Sequence, residues 1–262
     1  MKNITMGLLL ILVELAIIGF SPVLNAADCD YHLPFGLPAG GSGDKVLCYS
    51  GYALSYDYEM KVPSWVSYTL TKDSVHGVNV PRKNSFKIDR NLPRQFASSG
   101  LDYSKSGYDR GHMAGSAQID YSRAANDETF LYSNMTPQLA GFNRDMLGHE
   151  GAWGRVEGLV RKWVYKHDKL TVIAGTYFGE NPVFIGKDVG VSTASYKIII
   201  DTTTGESVSF WFPHKAETAD QVADYIVSID LIEIKTGIDF LSRINDPQED
   251  YIEATTGSLS TL

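Results

Sequence analysis

The strand-forming stretches of this chain come in runs and do not alternate strictly with helices, a pattern that favours an α+β fold over a doubly wound parallel sheet. Trp65-Val66-Ser67-Tyr68-Thr69-Leu70 alternates and is rich in aromatic and β-branched side chains, as a half-buried strand requires. Residues 130–134, leading into Thr136-Pro137-Gln138, read as another strand, as do 170–173, 196–201 and 208–212. Between these runs, residues 152–167 carry Trp153, Val156, Leu159, Val160, Trp163 and Val164 at three- and four-residue spacings, which predicts a helix with one apolar face. Shorter helical stretches are predicted over 117–130 and 219–233, the second punctuated by Gly237. The Gly/Pro-rich stretch 34–44 and the stretch 91–107, with its proline, glycine and serines, read as irregular connections.

At 262 residues and 44% apolar composition the chain can bury one sizeable core, so residues 28–262 are expected to form one domain. Residues 1–27 have the layout of a signal peptide: Lys2, an apolar run over 7–20, and the small-residue stretch Asn25-Ala26-Ala27. A membrane span needs ~20 apolar residues, and Glu14 in the middle of the run would be costly in hydrocarbon. The expectation is an exported protein, secreted or periplasmic, without stable membrane association. The two cysteines, Cys29 and Cys48, follow directly after the leader; an even count in an exported chain predicts one disulfide, contributing ~3 kcal/mol.

The formal net charge is −8, and removing Lys2 with Glu14 leaves it unchanged. An acidic total excludes a histone-like coat of nucleic acid, but a local basic face suffices for phosphate binding. The charge is unevenly spread: residues 80–112 hold seven Lys/Arg against three Asp, whereas residues 215–262 hold three against ten acidic residues.

Four blocks stand in a fixed order: Tyr108-Asp109-Arg110-Gly111-His112, Asn134-Met135-Thr136-Pro137-Gln138, Gly141-Phe142-Asn143-Arg144 and Gly151-Ala152-Trp153-Gly154-Arg155-Val156-Glu157. Each is weak singly; together they closely resemble the DNA/RNA non-specific endonucleases, the ββα-metal nucleases. Upstream, Pro63-Ser64-Trp65-Val66-Ser67-Tyr68 looks like that family's first strand, and Arg82 precedes Phe86 and Asp89 as in its Arg-to-aromatic-to-Asp pattern. Downstream, Thr236-Gly237-Ile238-Asp239-Phe240 resembles its closing helix, so the similarity covers residues 49–244. The resemblance implies a central, mainly antiparallel sheet flanked by helices. It also implies endonucleolytic hydrolysis of DNA and RNA leaving 5′-phosphate ends, with Mg²⁺ as the usual cofactor and Mn²⁺ or another divalent metal as a substitute.

Cutting a phosphodiester requires an activated water, neutralised charge on the non-bridging oxygens, and help for the departing oxygen. His112 is the residue suited to accept the water's proton, since imidazole is neutral near neutral pH. Arg82 and Arg110 suit a clamp on phosphate oxygens, which guanidinium matches bidentately. Asn143, which alone would read as a helix cap, resembles the family's direct metal ligand and offers a hard amide oxygen. Glu157 is assigned to water-mediated support of the metal.

The chain departs from the family pattern between Asn143 and Trp153, where the ten-residue separation implies an insertion of six, about 144–150. An uninterrupted helix would hold Asn143 and Glu157 about 21 Å apart, so something must break it. Gly148 and Gly151 would let the insert bulge and keep Asn143 as ligand. Counting back from Trp153 instead puts His149 at the ligand position, which would favour a transition metal. The spacing from Gln138 favours Asn143. Two other functions fit the same residues: an exported polyanion-binding protein that has lost catalysis, and a phosphodiesterase for small substrates. A homodimer is compatible with the sequence, and no inhibitor partner can be read from it.

Overall fold

The computed structural model describes residues 29–146, 148–216 and 219–260; the leader expected over 1–27 lies outside them. Its centre is a seven-stranded sheet in the spatial order Ile226–Val227, Ser207–Pro213, Ala194–Asp201, Lys169–Tyr177, Val62–Thr71, Ala53–Asp57, Lys45–Cys48. Every pairing in it is antiparallel. The predicted strands over 65–70, 170–173, 196–201 and 208–212 all lie inside these elements.

Side chains two apart share a face of a strand, and the sheet sorts its apolar residues accordingly. Val66, Tyr68, Leu70, Val172, Ala174 and Ile199 meet Trp153, Val156, Val160 and Trp163 of the helix Ala152–Trp163. Trp65, Ile173, Tyr196, Ile198 and Ile200 face the other way, against Ile229, Ile232, Phe240 and Ile252 from the C-terminal segment. The inner strands are therefore buried on both faces and flanked by helices, as the α+β expectation requires. The predicted amphipathic helix forms with Trp153 fully buried; emptying that position to alanine would cost about 3–5 kcal/mol.

Several local expectations are corrected. Residues 130–134 are not a strand: Tyr132–Asn134 is a 3₁₀ turn and the strand is Met135–Gln138. The cause is Asn134, whose amide accepts from Ala114 N (2.8 Å) and donates to Ala114 O (3.0 Å) and Thr129 O (2.8 Å), curling the backbone around itself. The helix expected over 117–130 shrinks to Arg123–Glu128, started by Ser122 accepting from Ala125 N. The stretch 219–233 breaks into the 3₁₀ turn Ala219–Tyr225, the edge strand Ile226–Val227, and the helix Ile229–Thr236 capped by Ser228. That helix stops at Gly237, which takes a left-handed φ of 70°, so the expected closing helix over 236–240 is instead the strand Ile238–Asp239. It pairs antiparallel with Ala39–Gly40, inside a stretch expected to be irregular. The other such stretch, 91–107, includes a helical turn, Gly100–Tyr103.

Cys29 and Cys48 form the expected disulfide, with Cα atoms 5.5 Å apart. No helix among the described residues is long and apolar enough to cross a membrane.

Candidate active site

Beside the central sheet lies a separate two-stranded ribbon, Asp109–His112 against Met135–Gln138, with His112 opposite Met135 and Asp109 opposite Gln138. Having no third strand, the ribbon tolerates Pro137, which cannot donate to a second neighbour. Gly111 is required by close approach: a Cβ there would lie 2.1 Å from Gln138 Oε1. Alternation along the strand sends Arg110 and His112 to one side and Asp109 to the other.

The His112 ring is only 9% exposed. It meets Phe130 edge-on at 5.0 Å and lies 5.8 Å from Phe86, while its carbonyl oxygen accepts a hydrogen bond from Trp153 Nε1 at 3.1 Å. The backbone at the histidine is thus tied to the helix Ala152–Trp163. Its Nε2 is buried and has no hydrogen-bond partner among the described residues. Burial first, then the positive charges of Arg82 and Arg110, lower its pKa to about 3, so the ring is neutral at physiological pH.

The two arginines are held by different means. Arg82 donates from Nε to Asn84 Oδ1 (2.7 Å) and from Nη1 to Ser116 Oγ (2.6 Å), with its guanidinium 5.0 Å from the Phe130 ring centre. Arg110 lies 3.9 Å from the centre of the Phe86 ring. Both line a cleft of about 630 Å³ together with Phe86, Tyr108, Asn143 and Arg144. His112 and Glu157 do not line it; the His112 ring lies 5.8 Å from that of the lining residue Phe86.

Asn143 ends the short helix Ala140–Asn143. Its Nδ2 donates to Asp109 Oδ2 at 3.1 Å, which fixes the amide and leaves Oδ1 as the atom not committed to that carboxylate. Arg144 grips the same carboxylate from two nitrogens, at 2.6 and 3.3 Å. The insert interrupts the helix as the glycines predicted. Met146 and His149 form a backbone bridge, His149 is exposed, and the chain re-enters a helix at Ala152. The turn returns the chain so closely that a Cβ at Gly151 would meet Phe142 O at 2.4 Å, and one at Gly154 would lie 3.2 Å from Asn143 O. The Asn143 backbone therefore lies beside Gly154, which precedes Glu157 by three residues in the same helix.

Glu157 reaches the loop that follows the strand Asp109–His112, where a Cβ at Gly115 would come within 2.9 Å of its Oε1. Its Oε1 is 3.9 Å from Nζ of Lys197, a fully buried lysine on the strand Ala194–Asp201 of the central sheet, whose ammonium also lies 3.8 Å from the Trp153 ring centre. Burial raises the Glu157 pKa, opposed by Lys197, Arg161 and Arg82, and burial lowers that of Lys197 to about 8. The structure thus brings His112, Arg82 and Arg110 together on one side, and Asn143 and Glu157 on the adjoining helices.

Sequence reasoning missed four supporting residues: Asp109, Ser116, Asn134 and Lys197. Of these, Lys197 carried a readable signal, a charged residue at an inward position in the apolar run Tyr196-Lys197-Ile198-Ile199-Ile200.

Comparison with known proteins gives one consistent result. The family model of the DNA/RNA non-specific endonucleases matches residues 33–247. Nuclease C1 of Cunninghamella echinulata is 32% identical over 248 residues, covering 87% of this chain and 95% of the relative. Mitochondrial endonuclease G of Caenorhabditis elegans is 32% identical over 221 residues, covering 78% and 70%. Among solved structures, a chain in the crystal structure of the EndoG/EndoGI complex superposes with a TM-score of 0.73 at 32% identity, covering 84% of this chain and 93% of that one.

Proposed function

The chain belongs to the DNA/RNA non-specific endonuclease family, and from that premise we propose that it is an exported, divalent-metal-dependent endonuclease with His112 as general base. The observation that carries this reading is the buried, partnerless Nε2 of His112, held in a neutral ring beside two guanidiniums.

The residues fit a hard divalent cation, Mg²⁺ first and Mn²⁺ second. Asn143, oriented by Asp109, offers an amide oxygen as the direct ligand, and Glu157 on the helix Ala152–Trp163 would support the ion through its water shell, an all-oxygen environment suited to an ion that keeps most of its water. When bound, such an ion neutralises charge on the phosphate and on the departing 3′ oxygen. Arg82 and Arg110 hold the non-bridging oxygens from the cleft wall. His112 Nε2 takes the proton of the attacking water, leaving a 5′-phosphate end.

The arginines have a second effect. While their charges are unopposed they weaken His112 as a base; a phosphate seated between them cancels that repulsion and raises the basicity of the ring when substrate is present. Recognition rests on phosphate contacts, so cleavage has low sequence selectivity and extends to both DNA and RNA.

The test is plasmid and RNA cleavage with Mg²⁺, then with EDTA, for the wild-type chain and His112→Ala. The expected result is metal-dependent cutting that falls by about 10²–10⁴ in the variant, with DNA binding and the unfolding temperature retained. Cleavage at undiminished speed by His112→Ala overturns the assignment, and binding without cutting by the wild type overturns the enzyme reading.

A further inference from the structure

The acidic surplus of the C-terminal fifth has no part in the cleft, and the fold gathers it into one place. One oxygen from each of Asp230, Glu233 and Glu253 lies within 4.8 Å of the others, and the same holds for Asp239, Glu249 and Glu253. Glu253 belongs to both groups. It is only 7% exposed, and its Oε1 is buried without a hydrogen-bond partner among the described residues.

Nearby basic side chains are engaged elsewhere. The Lys235 ammonium lies 5.2 Å from the centre of the Trp211 ring, and Arg243 pairs with Asp30 at 3.6 Å. Helix polarity makes the arrangement costlier still. Glu233 is in the last turn of Ile229–Thr236 and Glu253 in the last turn of Asp246–Ala254, at the negative end of each helix, where carboxylates are disfavoured. Burial and the surrounding carboxylates raise the pKa of Glu233 to about 7 and of Glu253 to about 8. The two carboxyls are within hydrogen-bonding reach, so without a counter-ion they must share a proton.

We propose that this corner is a calcium site, remote from the cleft, in which Glu253 bridges the two carboxylate groups and the ion fastens the helix Asp246–Ala254 to the helix Ile229–Thr236 and the strand Ile238–Asp239. All-carboxylate, flexible groups of three oxygen donors that share Glu253, with water completing the shell, suit Ca²⁺ better than Mg²⁺, which demands a tighter octahedron, or zinc, which prefers nitrogen and sulfur. Binding displaces the shared proton, so affinity rises with pH.

The experiment is thermal unfolding of the metal-free full chain at about pH 8 with and without about 10 mM Ca²⁺, for wild type, Asn143→Ala and Glu253→Gln. Including Asn143→Ala separates this site from any ion in the cleft. The expected result is a rise of about 3–6 °C in wild type and in Asn143→Ala, and none in Glu253→Gln, whose nuclease activity is unchanged. Without calcium Glu253→Gln should melt above wild type, because a buried repulsive charge has gone. No rise in wild type, or an equal rise in Glu253→Gln, overturns the proposal. Should that variant not fold, Asp230→Asn and Asp239→Asn must each shift the calcium midpoint by about tenfold; an unchanged midpoint in both overturns it equally.

Discussion

The region beside the cleft and the C-terminal corner each bury an ionisable group with one atom that lacks a partner among the described residues, and they neutralise it by opposite means. Beside the cleft, burial and two guanidiniums drive His112 down to about 3, so the ring sheds its proton and stays neutral. At the corner, burial and neighbouring carboxylates drive Glu253 up to about 8, so the carboxyl retains a proton or takes a cation. Like charge around a buried site thus disfavours the charged state of either sign. What differs is the ligand each field invites: a polyanion at the first and a small cation at the second.

The comparison can be broken most forcefully at Arg82. Arg82→Ala is expected to lower kcat/KM on plasmid DNA by about 10²–10³, with partial recovery in Arg82→Lys; steady-state rates equal to wild type would reduce the arginine to a solvated side chain. The next effect concerns acid stability. The folded pKa of His112 lies below the 6.5 of a free imidazole, so the unfolded chain binds a proton that the folded chain refuses. Stability is therefore complete above pH 6.5 and declines as pH falls toward 3. This group alone should cost about 2 kcal/mol between pH 7 and pH 5. Urea melts of His112→Asn at the two pH values should lack that portion, and a slope identical to wild type would refute it.

A smaller change is expected at Asp109, whose carboxylate accepts a hydrogen bond from Asn143 Nδ2. Asp109→Asn should raise the Mg²⁺ concentration for half-maximal rate by about tenfold; an unaltered metal titration would remove Asp109 from the site's support. The smallest is at the acidic corner. Glu233 has a raised folded pKa of about 7, so its stabilising contribution is present at lower pH and is lost as pH rises through that value. In calcium-free buffer near pH 8, Glu233→Gln should gain about 1 kcal/mol or less, and a loss in chemical denaturation would contradict the repulsion argument.

What could be read from the residues followed from periodicity and motif order. Alternation found the strands around Trp65, Val172, Ile198 and Phe210, and helical spacing found the helix of Trp153 and Val160. The disulfide and the interruption after Asn143 were legible from cysteine count and from the displaced spacing to Trp153. The failures share a physical cause: a polar side chain bonding its surroundings overrides local preference. Asn134 turns 132–134 out of a strand by reaching back twenty residues to Ala114, and Ser228 starts a new helix inside an apparently continuous one. Asp109 escaped notice because its partners, Asn143 and Arg144, lie more than thirty residues away and meet it only in the folded chain.

The central sheet seats its middle strand, Lys169–Tyr177, between Val62–Thr71, made before the nuclease motifs, and Ala194–Asp201, made after them. Residues 39–40 likewise await residues 238–239 before either is paired. Synthesis runs from one end to the other, so the middle of the sheet, with Lys197 against Glu157, cannot be completed until about three quarters of the polypeptide has been made, and the seam of 39–40 with 238–239 closes later still. Fragments released early by a ribosome or a protease would carry the Asp-Arg-Gly-His motif without the sheet and helix that hold it in place.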